Sequence, residues 1–92
     1  HDLYAIGVLE AAKRLGIRVP QDLSVVGIDD IDWAAYSYPP LTTVNIPKEY
    51  LGITAASMLL DLIRGKRGQP RLVRVATELI HRNSTCMASS PD

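Results

Sequence analysis

The sequence has little cysteine, and it has no excess of charge of either sign. Cys86 is the single cysteine among 92 residues. It can form no internal disulfide and offers no cysteine metal cluster, so we interpret it as a reduced thiol. Ten Lys and Arg residues balance ten Asp and Glu residues, which excludes a strongly basic nucleic-acid-binding domain. With 47% hydrophobic and 22% charged residues, the chain is globular in composition rather than disordered or collagen-like.

Long hydrophobic runs and signal-like segments are also missing from the sequence. No apolar run reaches the roughly 18 residues that a membrane-spanning helix needs, and no Met-initiated, positively charged segment opens the chain. Helical periodicity begins directly after His1 and Asp2. We therefore expect a cytoplasmic protein without membrane attachment, whose natural chain begins further upstream.

Residues suited to nucleophilic catalysis are scarce as well. His1 and His81 are the two histidines of the chain, and neither accompanies a nucleophile flanked by glycines. Cys86 lies in a polar C-terminal tail. We expect no enzymatic activity, no cofactor and no metal site.

Hydrophobic periodicity predicts helices that alternate with short strands. Asp2 is the expected N-cap of a first helix, whose apolar face repeats at helical spacing as far as Gly16. A β-branched apolar run follows, and it predicts a strand buried on both faces of a parallel sheet. The predicted helices cover residues 2–16 and 48–64, and the predicted strands cover residues 23–28, 41–46 and 72–80. This order is typical of an α/β fold with right-handed crossovers.

Two carboxylates, Asp29 and Asp30, directly follow the first predicted strand. In open α/β sheets, ligands bind at the carboxyl ends of the strands, and one of two adjacent side chains is expected to point into such a crevice. A carboxylate there accepts hydrogen bonds from hydroxyl groups, which suits a sugar or polyol. Two alternatives stay open: the pair caps a turn, or it forms a divalent-metal site together with Asp32.

Aromatic side chains cluster in the loop after the two carboxylates, at Trp33, Tyr36 and Tyr38. Aromatic rings stack on sugar faces, and they also fill packed interfaces. Trp33 is therefore a candidate for a cleft contact with a ligand, with packing as the alternative. Ile6 lies off the main apolar stripe of the first helix, where it is either singly exposed or part of a contact with a partner.

Several motifs together resemble one known family. They are His1-Asp2-x-x-Ala5-x-Gly7, Gly16-x-x-Val19-Pro20-x-Asp22-x-Ser24-Val25-Val26-Gly27-x-Asp29-Asp30, Pro39-Pro40-Leu41-Thr42-Thr43-Val44, Pro47, Leu51-Gly52, and Leu79-x-x-Arg82-x-Ser84-Thr85. Over residues 1–85, this combination resembles the C-terminal part of the lactose/galactose repressor family of bacterial transcription factors.

The resemblance implies a fragment of a periplasmic-binding-protein-like (type I) core, which is a three-layer αβα fold built on parallel sheet. Residues 1–46 would form a portion of the C-terminal subdomain. Residues 47–70 would form a hinge crossover and a helix of the N-terminal subdomain, residues 71–85 the returning strand, and residues 86–92 a flexible tail. Because such a fragment leaves sheet edges and helix faces uncovered, we expect it to be stable only when paired with another copy or with other parts of its own chain.

The resemblance also implies roles for individual residues. Asp29 matches an aspartate that accepts hydrogen bonds from effector hydroxyls. His1 stands where many sugar-responsive members have an asparagine that touches the effector. Ile6 matches the homodimer surface, which includes the region of the first helix.

The implied partners are a small-molecule effector, expected to be a sugar or polyol, a second copy of the chain, and operator DNA. The DNA would be bound through an N-terminal helix-turn-helix headpiece outside this chain. Ligand-driven closure of the two subdomains would then change how the headpieces are spaced on DNA. The alternatives are a periplasmic sugar-binding protein of a transport system, which shares the core fold, and a metal-dependent enzyme that uses Asp29 and Asp30.

Overall fold

The computed structural model describes residues 1–66 and 72–88 and divides the chain into two units. The first unit comprises His1–Ile46 and Glu78–Asp92, and the second comprises Pro47–Thr77. The first contains helix α1 (Asp2–Arg14), strand β1 (Val26–Asp29), a 3₁₀ helix (Asp32–Ala35), strand β2 (Thr42–Asn45) and strand β3 (Glu78–Ile80), and the second contains helix α2 (Lys48–Ile63). The predicted α/β class is confirmed.

Helix α1 is capped by His1, not by Asp2 as predicted. The Nδ1 atom of His1 accepts a hydrogen bond of 3.2 Å from the backbone N–H of Leu3. Asp2 is instead the first helical residue, and its side chain is completely buried. At the other end, Gly16 has a φ of +71°, and the N–H of Ile17 bonds back to the carbonyl of Ala12 at 2.8 Å. The predicted glycine stop is therefore confirmed.

The buried face of α1 is narrower than the predicted apolar stripe. Val8 and Leu15 share the helical spacing of Ala5, Leu9 and Ala12 in the sequence, but they are 44% and 74% exposed. The helix buries Asp2, Ala5, Leu9 and Ala12. The apolar core of the first unit consists of Ala5, Leu9, Val25, Ala34 and Leu41, with Ile6 and Val19 packed against it.

The sheet has the order β1-β2-β3 and is mixed, not wholly parallel. Strands β1 and β2 are parallel, with Val26 opposite Thr42 and Asp29 opposite Asn45. Strand β3 runs antiparallel to β2, and Glu78 lies opposite Asn45. The chain leaves the sheet after Asn45 at the end of β2 and returns to it at Glu78, opposite Asn45. Strand β3 therefore runs in the direction opposite to β2. The expected parallel pairing is therefore present between β1 and β2, whereas β3 departs from it.

Strand β3 is also much shorter than the predicted strand over residues 72–80. Residues 72–77 have no regular structure and belong to the second unit. A strand needs a hydrogen-bonding neighbour, and β2 provides one to β3 over Thr43–Asn45 alone. Parts of the predicted crossover, returning strand and tail, namely residues 67–71 and 89–92, lie outside the described residues. Cys86, where the flexible tail was expected to begin, donates from its backbone N–H to Ser24 Oγ at 3.2 Å.

Strand β1 and helix α2 both expose apolar surface in this chain. Val26 and Ile28 of β1 are 54% and 51% exposed, so β1 is not buried on both faces in this chain. Helix α2 has no buried residue, and its Leu62 is 69% exposed. Among the described residues, no helix is both long enough and apolar enough to cross a membrane.

Candidate functional site

The candidate site lies where the carboxyl ends of β1 and β2 meet the start of α1. Because β1 and β2 are parallel and paired in register, Asp29 and Asn45 end their strands side by side. His1, which caps α1, reaches the same place, since its Nε2 lies 3.8 Å from Asp29 Oδ2. The structure thus brings together His1 and Asp29, the two ligand-binding residues predicted from the sequence.

The His1 ring presents a hydrogen-bond donor beside an acceptor. Its Nδ1 accepts the N–H of Leu3, so the neutral ring carries its proton on Nε2, the nitrogen that faces Asp29. The His1 side chain is 46% exposed and that of Asp29 is 26% exposed. A polar group of a ligand could therefore reach both a donor and a carboxylate acceptor at this position.

The neighbouring Asp30 is bound within the protein. Its Oδ1 forms a 2.9 Å ion pair with Arg82 Nη2, and its Oδ2 accepts a 3.0 Å hydrogen bond from Asn45 Nδ2. Arg82 also donates to the carbonyl of Leu41 at 3.0 Å. Asp30 therefore ties the segment after β3 to the ends of β1 and β2, whereas Asp29 lies on the His1 side.

Sequence reasoning missed Asn45 and Arg82 as members of this cluster. Both had a usable signal, because Asn45 lies near the end of the second predicted strand and Arg82 begins the Arg-x-Ser-Thr motif. The metal alternative finds no support, because no three His, Cys, Asp or Glu side chains of the described residues come together as a metal site. Asp32, its third proposed member, begins the 3₁₀ helix.

The backbone at the two carboxylates has an uncommon conformation. Asp29 has a φ of 121° and Asp30 a φ of 55°, in a region that residues with a side chain rarely adopt. Such outliers persist where the surrounding structure over-determines them, and they cluster at binding sites. The turn that follows β1 is therefore held in place by contacts outside itself.

Trp33 and Ile6 come together at a different place, on the face formed by α1 and the 3₁₀ helix. With Leu3 and Ser37 they line a groove of about 180 Å³, which neither His1 nor Asp29 lines. Trp33 is 71% exposed and Leu3 is 61% exposed. The structure thus associates Trp33 with the predicted dimer-contact residue Ile6 rather than with the His1–Asp29 pair.

Residues 1–85 match the protein family described as periplasmic binding protein-like domain. The chain belongs to this family. This chain is 49% identical over 83 residues to the HTH-type transcriptional repressor PurR of Yersinia enterocolitica, a match that covers 90% of this chain and 24% of the relative. The chain therefore spans 24% of the length of the curated relative it matches.

The solved structures to which this chain is similar are also transcriptional regulators. The chain is similar to the transcriptional regulator CelR in complex with cellobiose, with a TM-score of 0.85 and 38% identity over 90% of this chain and 25% of that chain. It is also similar to the Lac repressor dimer bound to operator and the anti-inducer ONPF, with a TM-score of 0.79 and 34% identity over 88% of this chain and 28% of that chain. The resemblance to the lactose/galactose repressor family is confirmed, and these relatives are transcriptional regulators, not enzymes.

Proposed function

We propose that this chain is the effector-binding and dimerisation portion of a cytoplasmic transcriptional regulator. The observation that carries the proposal is the exposed pair of His1 Nε2 and Asp29 Oδ2, 3.8 Å apart at the carboxyl edge of the sheet. The position agrees with the general location of ligands in open α/β sheets. The matched relatives support the regulatory role, since they are a transcriptional repressor and two regulators solved with small molecules.

The chemistry of the pair favours a sugar or related polyol as the effector. A hydroxyl group is both donor and acceptor, so a single ligand hydroxyl can accept from His1 Nε2 and donate to Asp29 Oδ2. Hydrogen bonds to a charged group contribute about 1.5–3 kcal/mol each. The CelR relative contains a disaccharide, cellobiose, which is consistent with this class of ligand.

The proposed mechanism uses the division of the chain into two units. The chain leaves the first unit after Ile46 and returns to it at Glu78, so these two crossings are the proposed hinge between the C-terminal and N-terminal subdomains. An effector that binds the closed arrangement more tightly shifts the population toward it. A DNA-binding headpiece elsewhere in the protein would respond to that shift, which fits the zero net charge of this portion.

The Asp29→Ala substitution tests the effector site. Thermal-shift screening of the full-length protein against cellobiose, ribose and purines would first identify a ligand, because a ligand at 100 times its dissociation constant stabilises the native state by about 2.7 kcal/mol. Loss of one charge-assisted hydrogen bond should then weaken binding by about 10-fold to 150-fold in calorimetry. Asp32→Ala is the matched control and should bind normally. Unchanged affinity in Asp29→Ala would exclude the proposed site.

The sequence upstream of this chain tests the regulatory role. A helix-turn-helix there supports a regulator, whereas a signal peptide would support a periplasmic sugar-binding protein instead.

The groove at Ile6 and Trp33 supports the proposal that a second copy covers this face. Leu3 and Trp33 are both well exposed, and large apolar side chains that share one exposed groove favour a partner. Ile6→Asp should place a charge in the interface and shift the full-length protein toward monomer in sedimentation velocity. Val8→Asp, on another face of α1, is the matched control. An unchanged dimer in Ile6→Asp would count against this surface.

A further inference from the structure

A completely buried carboxylate, Asp2, lies beneath the candidate site. Its Oδ1 accepts a 2.7 Å hydrogen bond from the Thr43 hydroxyl, and its Oδ2 accepts a 2.9 Å hydrogen bond from the backbone N–H of Ile31. Both Asp2 and Thr43 are 0% exposed. Burying a carboxylate is costly unless hydrogen bonds compensate for the lost water. These two hydrogen bonds therefore fix the position of the Asp2 carboxylate relative to Thr43 and Ile31.

The Thr43 hydroxyl extends this contact to the next residue of the turn. It donates to Asp2 Oδ1 and accepts a 3.3 Å hydrogen bond from the backbone N–H of Asp30. The consecutive amides of Asp30 and Ile31 are therefore both held, one through Thr43 and one by Asp2 directly. These amides immediately follow Asp29, whose φ is 121°, so the network supplies the outside contacts that the strained turn requires.

Strand β1 leaves room for this carboxylate. A Cβ atom at Gly27 would collide with Asp2 Oδ1 and would lie 2.9 Å from Leu41 Cδ2. Glycine is therefore the residue that lets β1 pass so close to the start of α1. The approach of the two elements is built around the Asp2 side chain.

The same anchor also fixes the other half of the site. Asp2 follows His1 directly and begins the helix that His1 caps. Holding Asp2 against β2 and against Ile31 therefore sets the position of His1 as well as that of Asp29. One buried group controls both members of the exposed pair.

We propose that Asp2 and Thr43 are positioning residues for effector binding, which hold the turn at Asp29 and Asp30 and the start of α1 in one geometry. The proposal rests on the proposed function, because it concerns the same effector site. Neither residue touches the ligand. Their effect on affinity is exerted through the position of Asp29 and His1.

Three substitutions test the network in the full-length protein. Asp2→Ala removes both carboxylate oxygens, so neither the Ile31 N–H nor the Thr43 hydroxyl keeps its acceptor. Thr43→Val removes the hydroxyl but keeps the shape of the side chain, and Thr43→Ser keeps the hydroxyl as the rescue variant. Leu9→Ala is the matched control, because it weakens the core without removing a contact of the turn.

The first readout needs no ligand. Hydrogen-exchange mass spectrometry of a peptide covering residues 27–33 reports on the amides of Asp30 and Ile31. Their exchange should be about tenfold faster or more in Asp2→Ala and Thr43→Val, since each loses a hydrogen bond that protects the turn. Thr43→Ser and Leu9→Ala should exchange close to the wild-type rate in this peptide. Unchanged exchange in both Asp2→Ala and Thr43→Val would overturn the proposal.

The second readout is the dissociation constant for cellobiose or ribose by calorimetry. Affinity should fall by about tenfold or more in Asp2→Ala and Thr43→Val and should stay within a few-fold of wild type in Thr43→Ser and Leu9→Ala. Faster exchange with unchanged affinity would also overturn the positioning role. If the wild-type protein binds neither sugar, the sugar assignment of the proposed function fails, while the exchange result still decides whether Asp2 and Thr43 hold the turn.

Discussion

Replacing Ser84 with alanine is expected to destabilise the first unit, because this buried hydroxyl joins the first residue of β2 to Val25, the residue before β1. Its Oγ donates a 2.6 Å hydrogen bond to the carbonyl of Val25 and accepts a 2.8 Å hydrogen bond from the N–H of Thr42. Ser84 and Thr42 are 0% and 1% exposed, and Val25 is 8% exposed. Alanine at position 84 would therefore leave a backbone donor and a backbone acceptor without this partner, in places that water does not reach.

The magnitude follows from the number of groups that lose a partner. A buried polar group left unsatisfied costs about 1–3 kcal/mol, so two such groups cost about 2–4 kcal/mol if the surroundings relax partly. This is a large share of the roughly 5–15 kcal/mol by which a domain is stable. The 2.9 Å bond from Val25 N–H to the Ser84 carbonyl does not involve the side chain and is retained.

Urea denaturation of the full-length protein, followed by far-ultraviolet circular dichroism, measures this loss as a lower transition midpoint at an unchanged slope. Ser24→Ala is the matched control, because the Ser24 hydroxyl is exposed and accepts a single 3.2 Å bond from the N–H of Cys86. The control should change the free energy of unfolding by less than about 0.5 kcal/mol. If Ser84→Ala lowered the free energy of unfolding by no more than the Ser24→Ala control does, the assignment of Ser84 as a link between β2 and the residue before β1 would be refuted.

Two further predictions concern β1 and the loop before it. Gly27→Ala would force a Cβ atom against the Asp2 carboxylate. Such overpacking should lower the free energy of unfolding by about 1–3 kcal/mol, as measured by urea denaturation. A variant as stable as wild type would contradict the close approach of β1 to α1. Hydrogen bonds from the Arg18 side chain and backbone lower the pKa of Asp22 to about 2 from 3.8. The ionised carboxylate is thus favoured in the folded state. The stability that ionised Asp22 gives to the fold is complete above about pH 4 and is lost as the pH falls through about 2. Asp22→Asn should therefore be less stable than wild type at pH 6, with a difference that shrinks toward pH 2.5, and a difference independent of pH would contradict the pairing.

Periodicity and turn chemistry predicted the local elements well. The glycine stop at Gly16 is confirmed by its left-handed φ, and α2 ends within one residue of its predicted end at Arg64. These features depend on residues close in the sequence, because helix spacing and a positive φ are local properties. The placement of Asp29 at the end of a strand was predicted for the same reason, since strand ends can be read from the chain itself.

Long-range contacts decided the role of the other charged residues. Asp2 has the sequence signature of an N-cap, but Thr43 and Ile31 take up its carboxylate 41 and 29 residues away. Asp29 and Asp30 are equivalent in the sequence, yet Arg82 pairs with Asp30 and His1 lies beside Asp29. No local pattern distinguishes two adjacent carboxylates, because the difference lies in which distant side chains reach them.

The sequence by itself determined the class of fold, the positions of its helices, the motifs of its family and the choice of His1 and Asp29 as candidate site residues. Tertiary structure alone decided the antiparallel direction of β3 and the burial of Asp2 beneath the site. It also decided that Asp29 lies beside His1 whereas Asp30 pairs with Arg82. The physical reason is that propensity and periodicity act over neighbouring residues, whereas strand direction and the partners of a buried charge depend on where the chain returns.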